Sequence, residues 1–259
     1  MGKVLRAQSI TRHYPKSELH WTFTYGSSMN RIVSFGDSFI FGTDLSDIVN
    51  YRNDGLKFSK LTWPALLAND LNLKYHSYAY GGSGNAGICR RVLFAIESGL
   101  VSNNDFLVIQ WTWKVRYDIF TNKENAFRND HINPDIGWET LHVTDDNYNS
   151  NTYYKNIQSD ENDKYESLKQ IVLVSTILDQ YKIPYFMTCL DSTLTDEINF
   201  NPPYVNILIK QIKDKLHWFN NKGFYHWAKD QNFTLGESGH PVDDAHYAAF
   251  KYIKHEITM

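Results

Sequence analysis

The sequence has 259 residues, of which 42% are hydrophobic and 21% charged, and its formal net charge is −3. This composition is typical of a globular protein with a packed core, so it excludes wholesale disorder. The longest positive cluster is the pair Arg90-Arg91 among apolar residues, which excludes the basic stripe that nucleic-acid binding requires.

Residues 1–30 are polar and aromatic without a clear period, and they are predicted to form an N-terminal arm of a single domain that spans residues 1–259. They lack the apolar run of a signal peptide, and no stretch of about 20 apolar residues follows that could cross a membrane. We therefore expect a soluble protein that is cytoplasmic or associated with a virion. The sequence leaves its oligomeric state open.

Strand and helix patterns alternate along the chain. Apolar runs predict strands at 31–35, 74–80, 106–111 and 183–190, and apolar residues at helical spacing predict helices at 61–73, 88–100, 165–181, 205–218 and 243–256. Residues 117–163 break this pattern and are predicted to be a long loop insertion with little regular structure. The alternation predicts an α/β fold, a three-layer α/β/α sandwich with a central, mostly parallel sheet.

In such a sheet, ligands bind where the strands end, so the loops after the strands should meet at one crevice. The first of these loops is Gly36-Asp37-Ser38. The glycine permits a sharp turn, which would lift Ser38 to the top of the sheet as a nucleophile. The alternative is that Ser38 is only the N-cap of a helix.

A nucleophilic serine needs a base, and His240 lies on a predicted loop before Pro241 and the last helix. Glu237, three residues earlier, could accept the other ring N–H and fix the tautomer. His246 is the alternative base, although its place in the first turns of the helix favours packing near the site.

The third segment is the glycine-rich turn 81–87, whose backbone amides could stabilise an oxyanion. It also contains the dinucleotide-binding pattern GxGxxG. That pattern requires an acidic residue at the end of the next strand, where this chain has Gln110 to Trp113 instead. The two cysteines and ten histidines show no metal-ligand spacing, so we expect no cofactor and no metal.

Together, these segments resemble the blocks of the SGNH hydrolases, also called GDSL-type esterases and lipases. The matching residues are Ser34 to Ser38, then Gly82, then Glu237 to Pro241 followed by Ala245-His246, within residues 31–257. The resemblance implies a flavodoxin-like fold and an ester hydrolase with the triad Ser38, His240 and Glu237. It also implies an oxyanion hole formed by the Ser38 and Gly82 amides and an Asn side chain.

The chain departs from that family at the Asn. The usual Gly-x-Asn-Asp block is replaced by Gln110 to Arg116, and no Asn occurs between 105 and 121. One oxyanion donor contributes about 3–4 kcal/mol of transition-state stabilisation, and Asn85 and Thr112 are the predicted replacements. The acid is Glu where Asp is usual. The Trp-Thr pair, the nearby Arg and the Arg-Arg helix resemble a branch of the family often seen in phage genomes.

The family resemblance implies a small-molecule or glycan substrate with an O-acyl or O-acetyl ester. Trp111 and Trp113 are predicted at the crevice, where they could stack on a sugar ring, or they could fill the gap between sheet and helices. Asp37 and Arg116 are further candidates for substrate binding. The alternative function is a catalytically weak module that binds carbohydrate or lipid, which the absent Asn and the aromatic content of 15% favour.

Overall fold

The computed structural model describes residues 29–48, 58–121, 134–196 and 202–256. Apart from residues 29 and 30, the predicted N-terminal arm lies outside the described residues. In chain order, the elements are β1 (Arg31–Phe35), α1 (Ser38–Phe41), α2 (Trp63–Asp70), β2 (Lys74–Ser77), α3 (Asn85–Glu97), β3 (Asp105–Trp111), β4 (Tyr117–Phe120), β5 (Trp138–Leu141), α4 (Tyr148–Asn156), α5 (Asp160–Tyr181), β6 (Tyr185–Cys189), a 3₁₀ turn (Ser192–Thr195), α6 (Pro203–Ile212), β7 (Leu216–His217), α7 (Phe224–Asp230) and α8 (Asp243–Glu256).

Five strands form a parallel sheet in the order β2-β1-β3-β6-β7. All seven residues of β3 are buried, which explains why its sequence is an apolar run rather than an alternating pattern. The chain proceeds from β1 to β2 on one side and from β3 to β6 on the other. The loops that follow β1 and β3 therefore diverge, and this reversal of strand order leaves a crevice at the carboxyl ends of the two strands.

Helices cover both faces of the sheet. On one face α3, α5 and α6 pack against alternate residues of β3, namely Leu107, Ile109 and Trp111. On the other face α1, α2, α7 and α8 pack against Phe106 and Val108. Both faces carry an apolar core, so the predicted three-layer α/β/α sandwich is confirmed. Among the described helices, none combines the length and apolar character that a membrane span requires.

The prediction that 117–163 has little regular structure is wrong for its described part. Strand β4 pairs antiparallel with β5, and α4 follows, with the Asn147 side chain accepting a hydrogen bond from the Ser150 amide as its N-cap. Tyr117 of β4 stacks on Tyr153 of α4 at 4.4 Å between ring centroids. The segment is stabilised by aromatic and polar contacts, so it lacks the apolar periodicity from which elements are predicted. Residues 122–133 within it lie outside the described part.

The region after α6 also differs from its prediction, which was a single helix over 205–218. The helix ends at Ile212, and Leu216 and His217 form β7 against β6. A strand of two residues is too short to show a period, so it was missed. Helix α7, which was not predicted, follows and contributes to one side of the site.

Candidate active site

Ser38 stands at the point where β1 becomes α1. A Cβ on Gly36 would lie 2.8 Å from Cγ1 of Ile40, so only glycine fits this turn. Asp37 is the N-cap of α1, since its Oδ1 accepts a hydrogen bond from the Phe39 amide at 3.0 Å. Ser38 is therefore the first residue of the helix and not its cap. Its amide has no partner within the helix.

The imidazole of His240 reaches Ser38 across the crevice. Nε2 of His240 lies 2.7 Å from Oγ of Ser38, although the two residues are 202 positions apart. His240 belongs to a short loop that is closed by a hydrogen bond of 2.8 Å, donated by the Gly236 amide to the carbonyl of His240. Its ring packs against Phe39 with centroids 4.7 Å apart. The structure thus brings together a hydroxyl and a base in hydrogen-bond contact.

Glu237 does not take the place that the sequence suggested for the acid. The Gly239 amide donates to the Gly236 carbonyl at 2.9 Å, which puts Glu237 at the tip of a turn, exposed to solvent. Its side chain forms no hydrogen bond or ion pair with any described residue. The carboxylate that faces the imidazole is that of Asp44, whose Oδ2 is 3.4 Å from Nδ1 of His240.

His246, the alternative base, is a packing residue. It is 1% exposed and lies in the core between α8 and α2, where its Nδ1 accepts a hydrogen bond from the Trp63 amide at 3.2 Å. Burial lowers the pKa of His246 to about 3. The imidazole is therefore neutral at physiological pH and holds two helices together. Its burial does not suit the role of a general base.

Burial of this imidazole predicts that the protein loses stability in acid. The unfolded chain binds a proton below about pH 6.5, whereas native His246 does so only near pH 3, so the free energy of unfolding falls as the pH drops through this window. By linkage, one such group costs about 2 kcal/mol between pH 7 and pH 5. Urea titrations at both pH values measure the loss.

The control for this prediction is His246→Asn, whose amide oxygen can still accept from the Trp63 amide. We expect the variant to lose less stability in acid than the wild type. Some loss remains, since burial also lowers the pKa of His217 to about 4. Equal losses in the two proteins between pH 7 and pH 5 would contradict the assignment to His246.

Asp37 and Arg116, which were predicted to bind substrate, instead form an ion pair with each other. Nη1 of Arg116 lies 2.7 Å from Oδ2 of Asp37, whose side chain is completely buried, and also donates to the Ser83 carbonyl at 3.1 Å. The hydroxyl of Thr112 donates to the same carboxylate oxygen at 2.7 Å. The prediction that Thr112 supplies an oxyanion donor is therefore wrong, because its hydroxyl proton already has an acceptor.

Asn85, the other predicted oxyanion donor, is also engaged elsewhere. Its Oδ1 accepts from the Thr112 amide at 2.8 Å, and its Nδ2 donates to the Thr112 carbonyl and to Oγ of Ser167. The side chain thus fixes the end of β3 to the start of α3. Gly82 differs from both: its φ is +76°, which favours glycine, and its amide donates no backbone hydrogen bond within the described part of the chain.

The two tryptophans after the central strand have different surroundings. Trp111 is completely buried in the core, with Nε1 donating to Sδ of Met187, so it fills the gap between sheet and helices, the second of its two predicted roles, and does not contact substrate. Trp113 is half-buried and packs edge-on against Tyr225 of α7 at 5.8 Å. Tyr225 in turn packs against Phe39 at 6.0 Å. Three aromatic rings therefore form a continuous series that begins beside His240.

A separate cavity of about 370 Å³ lies between α3, β4 and α5, and neither Ser38 nor His240 lines it. Its basic residues already have acidic partners: Arg90 pairs with Asp118 at 2.8 Å and Lys114 with Asp160 at 2.8 Å. It therefore lacks a free cation for an anionic ligand. Across residues 29–48, 58–121, 134–196 and 202–256, no group of three His, Cys, Asp or Glu side chains could hold a metal ion.

Sequence reasoning missed two contributors to this site, Asp44 and Tyr225. Asp44 follows α1 in a polar stretch, and no local signal distinguishes it from the neighbouring Asp47. Tyr225 lies on the helix that was not predicted. Asp44 is identified by its long-range contact with His240, and Tyr225 by the packing of α7.

Solved structures that resemble this chain include a lipolytic protein of the G-D-S-L family from Veillonella parvula. The two share 13% identity over 88% of this chain and 97% of that chain, with a TM-score of 0.43. The esterase EstA from Pseudoalteromonas sp., inhibited by monoethylphosphonate, gives 13% identity, coverage of 88% and 96%, and a TM-score of 0.46. A family two carbohydrate esterase from Clostridium thermocellum, in complex with cellohexaose, shares 15% identity with this chain. The match covers 89% of this chain and 64% of that chain, with a TM-score of 0.42.

The family model described as "Family of unknown function (DUF6071)" matches residues 46–224. No curated protein matches the chain. Ser38, Asp44 and His240 all lie outside the matched residues. The matched part contains the insertion and most of the sheet.

Proposed function

The chain belongs to DUF6071, a family of unknown function, and we propose from its site that it is a serine ester hydrolase with Ser38 as nucleophile and His240 as general base. The observation that carries this proposal is the contact of 2.7 Å between Oγ of Ser38 and Nε2 of His240. A serine hydroxyl is a weak nucleophile until a base within this distance removes its proton.

In the proposed reaction, Oγ of Ser38 attacks the acyl carbon while its proton passes to Nε2 of His240. The imidazolium then protonates the leaving alcohol, which departs and leaves an acyl group on Ser38. A water molecule, deprotonated by the same imidazole, attacks the acyl carbon and releases the acid, and the proton returns to Ser38.

Negative charge develops on the acyl oxygen during both attacks and needs donors. The amides of Ser38 and Gly82 are the proposed donors, because the first has no partner within its helix and the second donates no hydrogen bond to the described backbone. With Asn85 and Thr112 engaged elsewhere, the proposed hole lacks a third donor from these two side chains. A missing donor costs about 100- to 1000-fold in rate, so we expect slow turnover.

The proposed substrate is an O-acyl or O-acetyl ester of a small molecule or glycan. The aromatic series of Phe39, Tyr225 and Trp113 supports this class, since ring faces and edges bind both acyl groups and the apolar face of a sugar. The site offers the substrate no free cation from Arg116, whose guanidinium is neutralised by Asp37. A neutral ester therefore suits it better than an anionic one.

Labelling with a fluorophosphonate probe tests the nucleophile without requiring the natural substrate. We expect the wild type to be labelled at one site and the Ser38→Ala variant to remain unlabelled. Ser238→Ala is the matched control, because this exposed serine lies two residues from His240 and its hydroxyl forms no hydrogen bond to a described residue. Equal labelling of the wild type and Ser38→Ala would defeat the proposal.

A second candidate function is a carbohydrate- or lipid-binding module with weak catalysis. The engagement of both Asn85 and Thr112 in internal hydrogen bonds favours it, because the proposed oxyanion hole then rests on amides alone. Binding of a glycan without turnover of any aryl acetate would support this candidate. Turnover of an aryl acetate that is lost in His240→Ala would contradict it.

A further inference from the structure

We infer that Asp44, and not Glu237, is the carboxylate that positions His240, an inference that rests on the proposed function. Asp44 lies six residues after the nucleophile Ser38, in the segment that follows α1. Asp44 does not touch the reacting atoms, so its role is to orient the imidazole and to stabilise the charge that the ring acquires.

The carboxylate of Asp44 lies beside the imidazole of His240. Oδ2 of Asp44 lies 3.4 Å from Nδ1 of His240, and only 14% and 15% of the two side chains are exposed. Nδ1 is buried and has no hydrogen-bond partner among the described residues, so its contact with Asp44 is electrostatic. A carboxylate beside Nδ1 favours the tautomer with its proton there, which leaves the lone pair of Nε2 directed at Ser38.

The same carboxylate oxygen also holds the loop of His240. Oδ2 of Asp44 accepts a hydrogen bond from the Ser238 amide at 2.9 Å and from the His240 amide at 3.4 Å. The loop approaches so closely that a Cβ on Gly236 would lie 2.4 Å from Cβ of Asp44. The imidazole and the backbone that carries it are therefore placed by one group.

The backbone of Asp44 adopts an unusual conformation. Its φ is +71°, in the left-handed region that a residue other than glycine rarely adopts. Asp and Asn tolerate this conformation better than most residues, and such positions cluster at functional sites. The conformation directs the carboxylate back towards the 236–240 loop, whereas Glu237 at the tip of that loop is exposed.

The decisive variant is Asp44→Asn, which keeps an oxygen that can accept from the Ser238 amide and removes the negative charge. We expect kcat for an aryl acetate, and the rate of fluorophosphonate labelling, to fall by about 100- to 10,000-fold. KM and the melting temperature should stay close to those of the wild type.

Two control variants separate this role from a structural one. Glu237→Gln removes the carboxylate that the sequence suggested, and we expect labelling within about threefold of the wild type. Asp243→Asn alters a second link between the same segments, since Asp243 accepts from the Ser46 amide at 3.0 Å without touching the imidazole. We again expect labelling within about threefold, which would show that charge at position 44 matters beyond the tethering of the loop.

The outcomes distinguish the inference from the function on which it rests. Loss of labelling in Glu237→Gln with retention in Asp44→Asn would overturn the inference and leave Ser38 and His240 in their proposed roles. A fall in labelling of Asp44→Asn that is accompanied by a lower melting temperature, or by a higher KM with kcat unchanged, would reduce Asp44 to a structural residue. A wild type whose Ser38 is not labelled at all would overturn the proposed function, and the inference with it.

Discussion

Replacing His240 with alanine is expected to lower kcat for an aryl acetate by about 10⁴- to 10⁶-fold, the loss found when the base of a serine hydrolase is removed. The proton of Ser38 then has no acceptor at 2.7 Å, and the leaving alcohol has no donor. Initial rates measure the effect. A melting curve shows whether the variant folds, as we expect, because His240 is on a loop.

The matched control for this variant is His255→Ala, which removes a histidine from the exposed last turn of α8. We expect its kcat to lie within about twofold of the wild-type value. If His240→Ala keeps a tenth or more of the wild-type activity, the hydrolysis does not use His240 as its base, and the proposed mechanism is wrong.

The Arg116→Met variant is expected to lose about 3–5 kcal/mol of stability, because it leaves the carboxylate of Asp37 buried without its cation. In a chain of this size, that loss corresponds to a fall in the melting temperature of roughly 10 °C. The effect should extend to labelling of Ser38, since Asp37 caps the helix on which the nucleophile begins. Calorimetry and labelling measure the two consequences.

Two further variants test whether the cause is the unpaired charge. Lys169→Met breaks an exposed pair with Glu166, and we expect it to cost less than about 1 kcal/mol. The double variant Asp37→Asn/Arg116→Met removes both charges and should recover part of the lost stability. If Arg116→Met is no more destabilising than Lys169→Met, the buried ion pair contributes little.

The layers of the fold could be predicted from the sequence because apolar runs such as β3 occur only where a strand is buried on both faces. The meeting of Ser38 and His240 at one crevice could also be predicted, in part because each has a local signal, while their catalytic roles stay predictions. Gly36 marks the sharp turn before the first, and Pro241 marks the loop of the second. Local patterns alone do not predict that the two residues meet. That expectation comes from the order of the family's blocks along the chain, and the contact of 2.7 Å agrees with it.

The contact of Asp44 with the loop of His240 could not be predicted because it joins positions far apart along the chain, such as Asp44 and the Ser238 amide, which are separated by 194 positions. Spacing along the chain favoured Glu237, but the turn orients that residue to solvent. The sequence also left two roles open for Trp111, because on a strand buried on both faces the alternation of side chains does not tell which face carries the crevice. The polar insertion was missed because its strands are held by ion pairs and stacked rings.

The separation of Ser38 and His240 along the chain has a consequence for how activity arises during synthesis. Translation proceeds from the N-terminus, so the nucleophile and Asp44 leave the ribosome long before the histidine 202 positions later. In the proposed mechanism, a nascent chain that has folded the sheet but not yet released the 236–240 loop cannot hydrolyse an ester. Catalysis then begins only after the 236–240 loop has been released and has reached Ser38, so the onset of turnover reports the docking of that loop.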